Sequence, residues 1–299
     1  MTRLGGIDLG GTKIEARLFD DDSRELERRR IPTPTRTYPS LLEALEDQMN
    51  WLDGQAKGCM IGVGAPGLIN PQSGVIFCAN LPASGQTLGA DLGARLGRPV
   101  SLINDCRAFT LSEALLGAGR PFDSVLGLVI GTGVAGGYAI QGRLATDLNG
   151  GHGEYGHLPM PASLLERHSL PVTACACGSI GCFETFLSGP GVSRLNNVKT
   201  GQNVSPQQIM QNDPHKEIAE IWIDIAGELL NILTRTIDPE VIVLGGGLGM
   251  HAGLPLQLSN SLAPKMLANT RPPVILQAQG GDASGAIGAA LFAKQMQME

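Results

Sequence analysis

No stretch of this sequence comes near the roughly 18 uninterrupted apolar residues that a membrane-spanning helix requires. The opening residues, MTRLGGIDLGGTK, carry no apolar block of the kind a secretory leader uses, so the expected location is the cytoplasm. Charge is sparse as well: Asp, Glu, Lys and Arg make up only 17% of the chain. What charge there is leans acidic, with a net value of -6 and an isoelectric point near 5.4. A phosphate-rich polymer is repelled by that balance, which argues against nucleic acid as a partner. A small anion such as a nucleotide stays open, because backbone amides and Mg²⁺ can neutralise it locally. A repeat period is missing too, although 41 of the 299 residues are glycine. Unperiodic glycine points away from a fibre and toward tight turns and sites lined by bare backbone.

What is present is enough apolar residue, 42%, to bury a sizeable core in one large domain or two smaller ones. Residues 5–19 read as a hairpin around a Gly-Gly-Thr turn, followed by a charged strand or turn at 24–30. Leu41, Leu42, Leu45, Met49 and Leu52 recur at helical spacing, with Ser40 as the expected cap. Buried strands are expected at 59–65, 100–103, 124–130 and 241–244, a return strand at 136–140, and helices at 88–96, 108–116, 218–237 and 283–296. Residues 141–185 read as loop-rich. Alternation of strand and helix in each half argues an α/β architecture. Both halves open with a strand, a glycine turn bearing Thr, and a return strand. Two similar lobes facing each other would bring both turns to one cleft.

Asp8-Leu9-Gly10-Gly11-Thr12-Lys13 is the first motif with chemistry in it. Paired glycines let backbone amides approach phosphate oxygens, Thr12 and Lys13 add a hydroxyl and a cation, and Asp8 can hold Mg²⁺ through water. The bland alternative is an ordinary Gly-Gly hairpin. The spacing is neither that of a Walker loop nor that of a dinucleotide fingerprint. Gly131-Thr132-Gly133-Val134-Ala135-Gly136-Gly137 repeats the device, and two such loops can clamp a triphosphate from both sides. Gly245-Gly246-Gly247 follows the strand VIVL, where open α/β sheets bind ligands, and leaves room for an adenosine face. A flexible strand-to-helix connection explains it equally well. Asn104-Asp105 ends an apolar strand. There a carboxylate can take the proton of an attacking hydroxyl while Asn104 orients the acceptor. Both residue types are also favoured helix caps, and the two readings are compatible.

Cysteine divides into two groups. Cys59, Cys78 and Cys106 are scattered among apolar neighbours, as inert core thiols are. Cys175, Cys177 and Cys182 are clustered, and with His157 upstream they complete a tetrahedral Zn²⁺ shell that leaves no open position, hence a structural site. His168 is nearer in sequence and is a rival fourth ligand. Glu154 and Glu184 lie beside these ligands. A zinc that pinned both segments would hold the two carboxylates rigidly as acceptors for sugar hydroxyls; singly, each reads as a solvated surface carboxylate.

DLGGTK, the Asn-Asp-Cys segment at 104–106, GTGVAGG, EYGH, CACGSIGCFE and GGGL occur in the order found in the ROK family of sugar kinases and related repressors, and the sequence resembles that family over nearly its whole length. ANLPASGQ and the long spacer from His157 to Cys175 favour its N-acetylglucosamine kinases over its glucokinases. The resemblance implies an actin-like (ribonuclease H-like) two-lobed ATPase fold with a cleft between lobes. Residues 1–117 would form the smaller lobe, with the helix at 284–299 packing back onto it, and residues 118–283 the larger lobe with the zinc loop. It further implies that segments 6–13 and 131–138 hold the ATP phosphates, with Gly6 and Tyr138 at their ends, and that Asp105 is the base toward the sugar 6-hydroxyl. Asn80, Asn104, Glu154, His157 and Glu184 would line the sugar site. Mg²⁺-ATP and a homodimer are implied in the same way. Fructose, glucose and N-acetylmannosamine are the rival substrates, and a sugar-binding regulator without catalysis is the rival class. Against a repressor, only seven residues precede Asp8, too few for a helix-turn-helix. Cys106-Arg107, Ala135 and His152 depart from the family pattern.

Overall fold

A computed structural model describes residues 3–211 and 216–298. It divides into two compact units. The first comprises Met1–Gly117, Gly137–His152 and Gly280–Glu299, and the second Ala118–Gly136 and Gly153–Gln279.

In the first unit β1 (Leu4–Leu9), β2 (Lys13–Phe19) and β3 (Glu25–Pro32) form an antiparallel meander. β4 (Met60–Ala65) lies parallel to β1 on its other side. The short pair β5 (Leu68–Ile69) and β6 (Ile76–Phe77) follows. β7 (Ser101–Asn104), parallel to β4, completes a sheet of order β3-β2-β1-β4-β7. Between these strands run α1 (Tyr38–Gln55), α2 (Leu88–Leu96) and α3 (Asp105–Leu115). The apolar stripe expected on α1 is buried, against Ile7, Ile14, Ile61 and Val63 of the sheet. Its cap is Thr37 rather than Ser40: the Thr37 hydroxyl accepts from the Ser40 N–H at 3.3 Å, and proline occupies the first turn. That places the helix start two residues upstream of the expected cap.

The second unit contains β8 (Ser124–Ile130), and the chain passes into the first unit within the next strand, β9 (Val134–Ile140), which pairs with β10 (Arg143–Leu144). The segment read as loop-rich holds a short helix, α4 (Ala162–Arg167). α5 (Glu184–Leu187), α6 (Gly189–Thr200), α7 (Pro206–Gln211) and the long α8 (Lys216–Ile237) follow. β11 (Val241–Gly245), α9 (Gly246–Gly249), α10 (Leu254–Leu262) and β12 (Val274–Gln277) close the unit. β8, β11 and β12 are parallel, and the second sheet has the order β10-β9-β8-β11-β12. Buried on both faces, β11 shows no alternation, as expected of a parallel central strand. Trp222 of α8 is fully buried, and its indole N–H donates to the Leu187 carbonyl at 3.0 Å.

The last helix, α11 (Ser284–Gln297), belongs to the first unit. It lies so close to β1 and β4 that a Cβ at Gly6 would stand 1.9 Å from the Ala286 carbonyl oxygen, and one at Gly62 1.9 Å from that of Ala289. Small residues on the helix and glycine on the strands are one packing solution. Among the described residues, no helix is long and apolar enough to cross a membrane.

Candidate active site

β7 delivers Asn104 at its last position, and α3 starts on the next residue. Asn104 is the cap: its Oδ1 accepts from the Arg107 N–H at 3.1 Å, while its Nδ2 donates to the Gly67 carbonyl at 3.0 Å. Both ends of the amide are thereby fixed. Asp105, the first helical residue, accepts from the Cys106 N–H at 2.8 Å. Burial pushes its carboxyl above the usual range, against the pull of that hydrogen bond. Asp8, near the end of β1, is pushed up to about 6, chiefly by burial and then by the negative charges of Asp105 and Glu15, with Lys13 and Arg17 pulling the other way. Two interacting half-buried carboxylates that hold on to protons suit a divalent cation, which would take the protons' place.

The first glycine turn closes through the Gly10 N–H, which donates to the Lys13 carbonyl at 2.9 Å, and the Thr33 hydroxyl braces the Gly10 carbonyl at 2.7 Å. Gly11 and Thr12 are exposed, and a Cβ at Gly11 would meet nothing within 4 Å. No protein atom demands a glycine there, so its bare amide is open to a ligand's close approach. Gly6 differs, since its missing Cβ is accounted for by α11. Asn80 is exposed in a bend after β6.

In the second unit Gly131, Thr132 and Gly133 join β8 to β9. The Gly131 N–H donates to the Gly133 carbonyl at 2.9 Å, and the Gly131 carbonyl accepts from Gly189 at 2.7 Å. A cavity of about 540 Å³ is lined by Gly131, Thr132, Gly189, Gly247, Leu248 and His251, among others. It brings together the second phosphate-type turn and the turn assigned to adenosine. Gly131 and Gly247 again have nothing within 4 Å of an added Cβ, whereas Gly246, at φ +79°, would press on the Ile130 carbonyl oxygen at 2.5 Å. Gly136 is close-packed against the Gly127 carbonyl oxygen at 1.9 Å, and Gly137, in the first unit, against the Thr110 hydroxyl at 2.8 Å. Those three glycines are set by packing. Tyr138, the end of the segment, lies beside the His152 ring with centroids 6.4 Å apart. Sequence reasoning missed Gly189 and His251; the Gly-Pro-Gly run that opens α6 was the available signal.

The metal-type cluster forms as expected. One ligand atom each from His157, Cys175, Cys177 and Cys182 lie within 4.8 Å of one another. Cys177 Sγ and Cys182 Sγ are 3.7 Å apart, and Cys175 Sγ stands 3.6 Å from His157 Nδ1. A zinc tetrahedron with bonds of about 2.3 Å to sulfur has edges of roughly 3.8 Å, close to both of these separations. The other imidazole nitrogen, Nε2, faces Glu154 at 3.6 Å, a carboxylate–histidine arrangement that orients a metal ligand. His168, the rival ligand, is taken up elsewhere by Asp224 at 2.7 Å. Glu184 does not face solvent freely: its Oε2 accepts from the Val134 N–H at 2.9 Å and so props the second glycine turn.

Residues 4–296 match the ROK family. An N-acetylgalactosamine kinase from a Shewanella species is 36% identical, the match covering 96% of this chain and 95% of the relative. An N-acetyl-D-glucosamine kinase from Pectobacterium atrosepticum is 37% identical, over 96% and 97%. The crystal structure of a ROK hexokinase from Thermus thermophilus superposes with a TM-score of 0.88 at 30% identity, covering 99% of each chain. That of a ROK glucokinase from Streptomyces griseus, in complex with glucose and AMPPNP, gives 0.76 at 25% identity, covering 98% of this chain and 99% of that one. The chain belongs to the ROK family and has the actin-like α/β fold of its kinases.

Proposed function

We propose that this protein transfers the γ-phosphoryl group of ATP to the 6-hydroxyl of N-acetyl-D-glucosamine, giving the 6-phosphate and ADP. The observation that supports it most is Asp105: a half-buried carboxylate whose pKa is raised by desolvation, at the end of a strand and the start of a helix. In this reading Asp105 accepts the hydroxyl proton as the sugar oxygen attacks phosphorus, and ADP leaves from the opposite side. Phosphoryl transfer needs mainly positioning and charge neutralisation, so one base suffices.

Gly10, Gly11, Thr12 and Lys13, and likewise Gly131, Thr132 and Gly133, are assigned to phosphate binding. The cavity beside Gly247 is assigned to adenosine. The analogue AMPPNP in the Streptomyces glucokinase supports ATP as donor. Asp8 is assigned to Mg²⁺, which supplies neutralisation of the phosphate charge. Asn80, Asn104, Glu154, His157 and Glu184 are assigned to sugar hydroxyls. The donor set of His157 and three thiols fits a structural Zn²⁺ with no open coordination position. A cytoplasmic homodimer remains the expected setting.

N-acetyl-D-galactosamine is the second reading, favoured by the name of the Shewanella relative. The two sugars share the 2-acetamido group and differ at the fourth carbon. Asp105→Asn tests the chemistry. Turnover should fall by on the order of 10² or more with sugar binding retained. Near-normal turnover would place the base elsewhere.

A further inference from the structure

We infer that Arg107 is a positioning residue for Asp105, acting through a clamp on the first turn of α3. This rests on the assignment of Asp105 as the base. The Asp105 carboxylate is tied to the N–H of its own neighbour, Cys106, so its direction follows the backbone of that turn. Two things hold the turn. One is the Asn104 cap, whose oxygen receives the Arg107 N–H. The other is the Arg107 side chain, which reaches into the segment 147–152. Its Nε and one terminal nitrogen donate to the His152 carbonyl at 2.9 and 2.6 Å. The same terminal nitrogen donates to the Gly150 carbonyl at 2.7 Å. The other terminal nitrogen meets Asp147 at 2.5 Å, with the two side chains only 15% and 13% exposed. Asp147 in turn receives the Gly150 N–H at 2.6 Å, and Gly150 sits at φ +77° with the Ile69 carbonyl oxygen 2.1 Å from where a Cβ would be. The far end of the clamp is therefore itself tied down.

Four of the five guanidinium N–H groups are used in a planar fork that no other side chain reproduces. Nothing packs in to replace it. The clamp borders a cavity of about 400 Å³ lined by Leu102, Tyr138, Leu144 and Phe292, among others. A shortened or less forked side chain leaves the first turn of α3 free to move into that space. A misplacement of about 1 Å at a reacting group is worth on the order of 10² in rate.

The test uses the purified full-length protein with Mg²⁺-ATP and N-acetylglucosamine, comparing wild type, Arg107→Lys, Asp105→Asn, the double variant, and Arg98→Lys. Arg98 supplies a structural control. It likewise bonds a carbonyl, Cys59, at 2.6 Å and a carboxylate, Asp53, at 2.6 Å, neither of them on α3. The expected result is a fall in kcat of about 10-fold or more for Arg107→Lys with the KM for ATP within about 2-fold. Arg98→Lys should show a comparable loss of Tm with kcat unchanged. The double variant should be no slower than Asp105→Asn alone, because Arg107 acts through a group already removed. Wild-type kcat in Arg107→Lys beside a disabled Asp105→Asn overturns this inference alone, as does full additivity in the double variant. Near-normal turnover in Asp105→Asn instead overturns the base assignment, whatever Arg107→Lys does.

Discussion

Replacing Asp8 by asparagine should stabilise the folded protein while disabling it, and the size of the gain can be worked out. The Asp8 carboxyl stands at about 6 in the fold against an ordinary 3.8, because burial and the charges of Asp105 and Glu15 oppose its ionisation. The folded state therefore binds more protons than the unfolded chain between those values, and stability falls as pH rises through that window. Below about pH 4 the group is protonated in the fold and costs little. Above about pH 7 it is ionised in both states, and the fold carries a penalty of about 3 kcal/mol, the free-energy equivalent of that pKa rise. The asparagine side chain is neutral at every pH and removes the penalty. The difference in unfolding free energy between Asp8→Asn and wild type should grow from near zero at pH 4 to a plateau of about 3 kcal/mol above pH 7. That corresponds to a Tm gain on the order of 5 °C. Urea denaturation and scanning calorimetry in Mg²⁺-free buffer across pH 4–8 measure it, and turnover with Mg²⁺-ATP should be lost in the same variant. A pH-independent difference, or a less stable Asp8→Asn protein at pH 8, would refute the argument that this carboxylate is held at a cost for its cation.

Four other outcomes are expected. Cys177→Ser should release zinc and lower stability by several kcal/mol; metal emission analysis that still finds one zinc per chain would contradict the ligand assignment. Gly62→Ala places a methyl 1.9 Å from the Ala289 carbonyl oxygen and should cost about 3 kcal/mol or more, read as a fall in Tm. Thr37→Ala should cost about 1 kcal/mol, and Ser40→Ala less, if the cap of α1 is the hydroxyl that accepts from Ser40; equal losses in urea titrations would show otherwise. The acid limb of kcat/KM should fall at a pH above the ordinary aspartate value, since a base with a raised pKa loses its ionised form early, and Asp105→Asn should abolish that limb.

Much of this architecture could be read from residue order because local signals agreed with tertiary demand. β8 is an uninterrupted apolar run, and α2 ends on a glycine in the left-handed conformation, so both elements matched their expected bounds. The misses have physical causes. α3 begins three residues earlier than its apolar spacing indicated, because the Asn104 cap, not periodicity, sets the start. β12 is a four-residue edge strand preceded by two prolines, and α6 opens on glycines that only close packing explains, a Cβ at Gly191 lying 2.7 Å from the Phe186 carbonyl carbon. At the candidate site, motif spacing selected glycine turns but could not separate open glycines from packed ones. Gly11, Gly131 and Gly247 face free space, while Gly6, Gly136 and Gly246 make room for backbone. Its choice of His157 over His168 agrees with the grouping of His157 and the three thiols, but it had no means of seeing that Arg107 reaches 40 or more residues forward to hold α3.

A kinase for a 2-acetamido hexose must discriminate among sugars at the second carbon. ADP release by the purified chain with Mg²⁺-ATP and a panel of N-acetylglucosamine, N-acetylgalactosamine, N-acetylmannosamine, glucose and fructose, run beside Asp105→Asn, measures that discrimination. The highest kcat/KM is expected with N-acetylglucosamine, and its loss in the variant. A preference for glucose or fructose, or sugar binding without ATP turnover, would contradict it.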